Sequence, residues 1–110
     1  MAAVSNLAID QGTTFTVTIT VTDDTGSARN LTSYFARSQM RKSYYTTANT
    51  AFSANILSPT DGTISLDLTA TQTSALKAGR YVYDVELVSN TATVERIVEG
   101  IVTIYPEATK

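Results

Sequence analysis

Residues 13–22 read Thr-Thr-Phe-Thr-Val-Thr-Ile-Thr-Val-Thr, with hydroxyl and apolar side chains alternating. Successive side chains of a strand point to opposite faces. Phe15, Val17, Ile19 and Val21 therefore share one face, and Thr14, Thr16, Thr18, Thr20 and Thr22 share the other. The segment reads as a strand with one buried face and one wet face. Each of its apolar side chains contributes about 1.5–3 kcal/mol if fully buried. Asp23-Asp24-Thr25-Gly26-Ser27 follows with the residues of a turn.

The same period recurs along the chain. Residues 34–43 place Tyr34, Ala36, Ser38 and Met40 on one face, and Phe35, Arg37, Gln39 and Arg41 on the other. The small inward residues there suit close approach of an opposing sheet. Residues 42–51 are polar and read as a loop carrying Tyr44-Tyr45. Phe52, Ala54 and Ile56 make a short edge strand that ends at Pro59. Thr60-Asp61-Gly62 turns the chain into residues 63–69, where Ile64, Leu66 and Leu68 alternate. Residues 71–78 are the one helical piece, with Thr71 or Thr69 as its cap and Gly79 just past its end. Residues 80–88 (Tyr81, Tyr83, Val85 and Leu87 inward), a turn at 89–92 and a last strand over 93–105 complete the series, and Pro106 ends it. Six or seven short strands at roughly ten-residue spacing predict an all-β fold. The expectation is an immunoglobulin-like antiparallel β-sandwich of about six to eight strands, with one short helical turn near 71–78 and a single domain over 1–110.

The last strand departs from simple alternation. Val94, Val98, Val102 and Ile104 lie on one parity, and Ile97, Ile101 and Tyr105 on the other. A bulge near Gly100 that switches the inward face is one reading. Cover of the outer face by another subunit is a second, which makes the domain an assembly part and a homo-oligomer conceivable. Ordinary exposed valine is the third.

Composition narrows the chemistry. The 110 residues include no Cys, His or Trp, and the formal charge is −2. Without Cys or His, disulfides, the common zinc, haem and iron–sulfur sites, and His-based triads all lack their residues. Twenty Thr and ten Ser stand where charges usually do, since charged residues are only 16%, and β-branched Thr suits the wet face of a sheet. The slight acidity speaks against nucleic acid, which calls for a basic patch. No stretch approaches the ~20 apolar residues of a membrane span. The first residues, Met1-Ala2-Ala3-Val4-Ser5-Asn6-Leu7, have neither the basic nor the apolar region of a secretory signal. Asn30-Leu31-Thr32 is accordingly a chance match to a glycosylation acceptor.

Two clusters carry candidate chemistry. Asp84 and Glu86 share one strand face, with Glu95 and Glu99 on the next strand. Paired carboxylates serve glycosidic or hard-metal chemistry, but a solvated strand face with one cross-strand ion pair explains them as well. An even pairing sum sets Glu86 opposite Arg96, and an odd sum sets it opposite Glu95. The second cluster, Arg37, Arg41, Lys42, Tyr44 and Tyr45, is the basic-aromatic one. Tyr and Arg dominate protein–protein hot spots, while the plainer reading is a strand end whose Arg stems cover apolar surface. No cofactor motif is present.

Read in order, several segments resemble a family of small tail and virion structural proteins of bacteriophages, particularly cyanophages. They are Ile9-Asp10-Gln11-Gly12-Thr13-Thr14-Phe15, Asn30-Leu31-Thr32-Ser33-Tyr34 and Met40-Arg41-Lys42-Ser43-Tyr44-Tyr45. Asp61-Gly62 with Ile64-Ser65-Leu66, Leu68-Thr69-Ala70-Thr71-Gln72-Thr73 and Gly79-Arg80-Tyr81-Val82-Tyr83-Asp84-Val85-Glu86 continue the series. Arg96-Ile97-Val98-Glu99-Gly100 and Val102-Thr103-Ile104-Tyr105-Pro106 close it. At Ser33-Tyr34-Phe35 the chain departs from the family's Gly-Tyr-small pattern, so Phe35 adds an apolar group to a face expected to be wet.

The resemblance implies a noncatalytic adaptor or connector of the tail, baseplate or fibre attachment region. It would be made in the host cytoplasm and held in the particle by other virion proteins, without cofactor, nucleic acid or membrane. The partner contacts expected on that reading are Arg41, Lys42, Tyr44, Tyr45 and Phe52, with the end segment from Tyr105 to Lys110. A capsid decoration protein is the nearest alternative. A carbohydrate-binding module using Tyr44 and Tyr45 is a second, and an enzyme built on Glu86 a third.

Overall fold

The computed structural model describes residues 3–23 and 25–108. Among them run β1 (Ala3–Val4), β2 (Leu7–Asp10), β3 (Phe15–Thr20), β4 (Phe35–Arg41), β5 (Thr50–Ser58) and β6 (Thr63–Leu68), then helix α1 (Ala70–Ser74), β7 (Gly79–Val88) and β8 (Val94–Tyr105). The fold is all-β. One eight-stranded sheet runs in the order β1-β8-β7-β4-β5-β6-β3, with β2 also on β8. The sheet curls on itself around a core that draws on Ile9, Met40, Phe52, Leu66, Val85 and Val102.

The curl is made by β5. Its first half pairs with β4 (Ser38 opposite Phe52), and its second half pairs with β6 (Ala54 opposite Leu66). The expected short edge strand around Phe52–Ile56 is therefore a nine-residue interior strand with neighbours on both sides. A register shift between Ile56 and Ser58 leaves Leu57 exposed. Alternation holds on β6, where Ile64, Leu66 and Leu68 are all buried, and on β7, where Tyr83, Val85 and Leu87 are. On β3 the threonines face water as expected, but Phe15, Val17 and Ile19 are only half-buried.

Residues 3–10 carry no strand signal in the sequence, yet they pair parallel to β8 (Ala3 opposite Val98, Ile9 opposite Ile104). The helix is shorter than expected. Thr69 caps it in a reciprocal box with Gln72, and it ends at Ser74. Gly79, expected as the residue after the helix, instead opens β7 at φ +133°.

The last strand resolves its two apolar parities with a bulge, three residues earlier than Gly100. Val85 lies opposite Val98 and Glu86 opposite Arg96, so Ile97 is the extra residue, and both Ile97 and Val98 are buried. At Glu86 the even sum holds, so it faces Arg96 and not Glu95; beyond the bulge the sum is odd. Gly100 has another reason to be glycine. A Cβ there would stand 2.2 Å from the carbonyl oxygen of Ser5, where the N-terminal segment runs alongside β8. The Tyr83 hydroxyl donates to that same carbonyl at 2.6 Å.

Candidate functional site

The outer face of β4, β7 and β8 is arranged in rows set by the strand register. Arg41, Val82 and Ile101 form one row, Gln39, Asp84 and Glu99 the next, and Arg37, Glu86 and Arg96 a third. Phe35, Val88 and Val94 form the fourth. Apolar residues thus flank a charged ladder. Arg37 Nε pairs with Glu86 at 2.7 Å, and Arg96 reaches Asp84 at 3.4 Å and Glu99 at 3.5 Å. Glu86 stands opposite Arg96 in register, yet its ion pair is made across to β4. Three arginines and three carboxylates balance on this face, which suits ion-paired wet sheet rather than a carboxylate dyad. Among the described residues no group of acidic side chains is placed to hold a metal ion.

At one end of the ladder the β4–β5 loop rises over the sheet. Arg41 holds it: one guanidinium nitrogen donates to the carbonyls of Thr46 (2.7 Å) and Thr47 (3.0 Å), the other to Gln39 Oε1 (3.0 Å). The loop lifts Tyr44 and Tyr45 into water, Tyr45 at 97% exposure. Between loop and sheet lies an open groove of about 980 Å³, lined by Arg37, Gln39, Arg41, Asp84, Glu86 and Arg96 with the two tyrosines at its rim. Lys42 turns away to lie over the Tyr81 ring, its Nζ 4.9 Å from the centroid.

The sequence-derived candidates divide. Arg41, Lys42, Tyr44 and Tyr45 gather at this end of the sheet, and Tyr105 lies at the same end of β8, half-exposed. Phe52 does not belong with them. At 5% exposure it sits in the core, between the rings of Phe15 (6.2 Å) and Tyr83 (6.1 Å), because the even positions of β5 face inward. Lys110 lies outside the described residues, as does Asp24 of the first turn. Phe35, on the same outer face, is exposed at the far end of β4.

Sequence reading passed over one cluster. Arg29, in the segment between β3 and β4, grips Glu95 at the start of β8 through two 2.8 Å bonds and lies over the Tyr34 ring. The pairing raises the Arg29 guanidinium and holds the Glu95 carboxyl below its ordinary value, chiefly through the hydrogen bonds between them. Asp84 is moved the other way, first by burial and then by Glu86, with Arg96 opposing.

The two carboxylates therefore have opposite pH signatures. A depressed folded value means that Glu95 stabilises the fold above its unfolded pKa, and that this is lost as pH falls through the folded one. A raised value means that ionised Asp84 opposes folding near neutrality, and that this is relieved as pH falls from its folded value toward the unfolded one. Glu95→Gln is expected to lower Tm at pH 7 by the equivalent of under about 1 kcal/mol, since half the side chain faces solvent. Asp84→Asn is expected to hold or raise Tm. Thermal melts of both variants from acid to neutral pH check the signs.

Neither protein-family models nor curated protein sequences give a match to this chain.

Proposed function

We propose that the chain is a noncatalytic structural protein of a bacteriophage particle, an immunoglobulin-like sandwich that joins other virion proteins in the tail, baseplate or fibre attachment region. The observation that carries the contact surface is the Arg41-pinned loop, which holds two tyrosines in water beside a groove lined by three arginines and two carboxylates. Rigid, amphipathic side chains with few rotamers give up little entropy on contact, which is why Tyr anchors interfaces. Attachment in many copies would multiply modest contacts.

The immunoglobulin-like part of the reading rests on strand order. The curl divides the sheet into β2-β8-β7-β4 and β6-β3, with β5 crossing between them and the N-terminal strand parallel to the last. Tyr81, near the start of β7, donates to the carbonyl of Lys77 four residues upstream at 2.8 Å. That is the position and bond of the tyrosine corner in such sandwiches.

The test is mass spectrometry of purified particles of the phage that encodes the chain, followed by separated heads and tails. Fixed stoichiometry in tails, reduced by Tyr45→Ala, is the expected result. Presence in heads alone makes it a capsid decoration protein. Absence from particles, together with glycan-array binding that Tyr45→Ala abolishes, makes it a carbohydrate-binding module.

A further inference from the structure

Strand β3 ends the sheet, and among the described residues it pairs with β6 alone. Val21 N–H donates to the carbonyl of Gly62 (2.8 Å), and the Val21 carbonyl accepts from Arg29 N–H (2.9 Å), so odd-numbered backbone groups point toward β6. By alternation, the N–H and C=O groups of Thr16, Thr18 and Thr20 point away from the sheet with no ladder partner. The pairing of residues 21–23 with 27–29 folds back on the β6 side, through Thr22 opposite Ala28, and leaves this edge open.

Exposed edges are ordinarily blunted by charge, proline or a bulge. Residues 12–22 contain no charged residue and no proline, and β3 runs in unbroken register with β6. The opposite edge differs: it is split into β1 and β2, and Asp10 ends it. The core-facing Phe15, Val17 and Ile19 are half-buried where their β6 neighbours Ile64, Leu66 and Leu68 are fully buried. One flank of the inner layer lacks a strand.

We propose that the missing strand is β3 of a second copy, in antiparallel pairing about a two-fold axis at Thr18. This goes beyond the virion reading and does not depend on it. The pairing sets Thr16 opposite Thr20 and Thr18 opposite its counterpart, which are the residues whose backbone groups are free. Apolar then meets apolar on the inner face, and Thr meets Thr on the outer. A strand without charge can meet itself without like-charge repulsion, whereas any charged residue near the axis would be set against its own copy. Lining up the two edges buries the open flank of Phe15, Val17 and Ile19 in both copies.

Sedimentation equilibrium from micromolar to millimolar, with amide hydrogen exchange, tests this. The expected result is a monomer–dimer equilibrium in which protection of the Thr16, Thr18 and Thr20 amides grows with concentration. Thr18 is exposed, so Thr18→Lys and Thr18→Glu are each expected to keep the wild-type circular dichroism. Each alone should weaken the dimer by at least about tenfold, and mixing the two should restore association. A wild-type chain that stays monomeric at millimolar concentration overturns the proposal and leaves the edge to a different chain. So does a dimer that survives Thr18→Lys, or one that is lost instead in Tyr45→Ala.

Discussion

Gly100→Ala is expected to be among the most damaging single-methyl additions in this protein, lowering stability by about 2–4 kcal/mol. The added Cβ would stand 2.2 Å from Ser5 O and 2.8 Å from Ser5 C, both backbone atoms with no rotamer to yield. Residues 3–6 must therefore lift from β8. Three bonds go with them: Ser5 N–H to Glu99 O (2.9 Å), Ile101 N–H to Asn6 Oδ1 (3.1 Å) and Tyr83 Oη–H to Ser5 O (2.6 Å). The last matters most, because Tyr83 is only 1% exposed and its hydroxyl has no other partner among the described residues. An unsatisfied buried donor costs about 1–3 kcal/mol.

A double-mutant cycle isolates this cause. Tyr83→Phe removes the same hydroxyl bond, so the double variant should lose less than the sum of the singles in urea unfolding. Additive losses would mean that Gly100 acts elsewhere. Cleavage near the N-terminus by a nonspecific protease should also accelerate in Gly100→Ala.

Phe52→Ala is expected to lose about 3–5 kcal/mol, while Tyr45→Ala stays within about 0.5 kcal/mol. Both are aromatic, and both stood among the contacts expected from sequence. Phe52 packs against Phe15 and Tyr83, so it links β3, β5 and β7 across the curl, and its removal opens a cavity that the two remaining rings must relax into. Tyr45 touches mostly water. Thermal or urea unfolding separates them: similar losses for the two would place Phe52 at the surface or Tyr45 in a packed environment. A Phe52→Leu variant should recover part of the loss, as expected of a volume effect.

What the sequence carried was local and periodic. Period-two patterns over 13–22, 34–43, 63–69 and 80–88 pointed to four strands and their inward residues, since burial of one face leaves its mark on every second position. The sequence offered Thr69 as one of two caps for the helix, because a cap is a contact within one turn; the structure chose it over Thr71. The Arg41–Tyr45 cluster was legible for the same reason: its members are neighbours in sequence as well as in space.

Tertiary structure decided whatever depends on a partner far along the chain. The pattern of Leu7–Asp10 is too short to announce a strand, and β8 makes it one by pairing with it. The interior place of β5 follows from neighbours on both sides, which its own residues do not encode. The bulge lies at Ile97 and not at Gly100, where a close approach of the Ser5 backbone, distant in sequence, requires the glycine. Arg29 and Glu95 stand 66 positions apart and meet only once the sheet has curled. Side-chain periodicity reports which face of a strand is dry; it holds no record of which backbone lies alongside, and that choice is made by packing of the whole core.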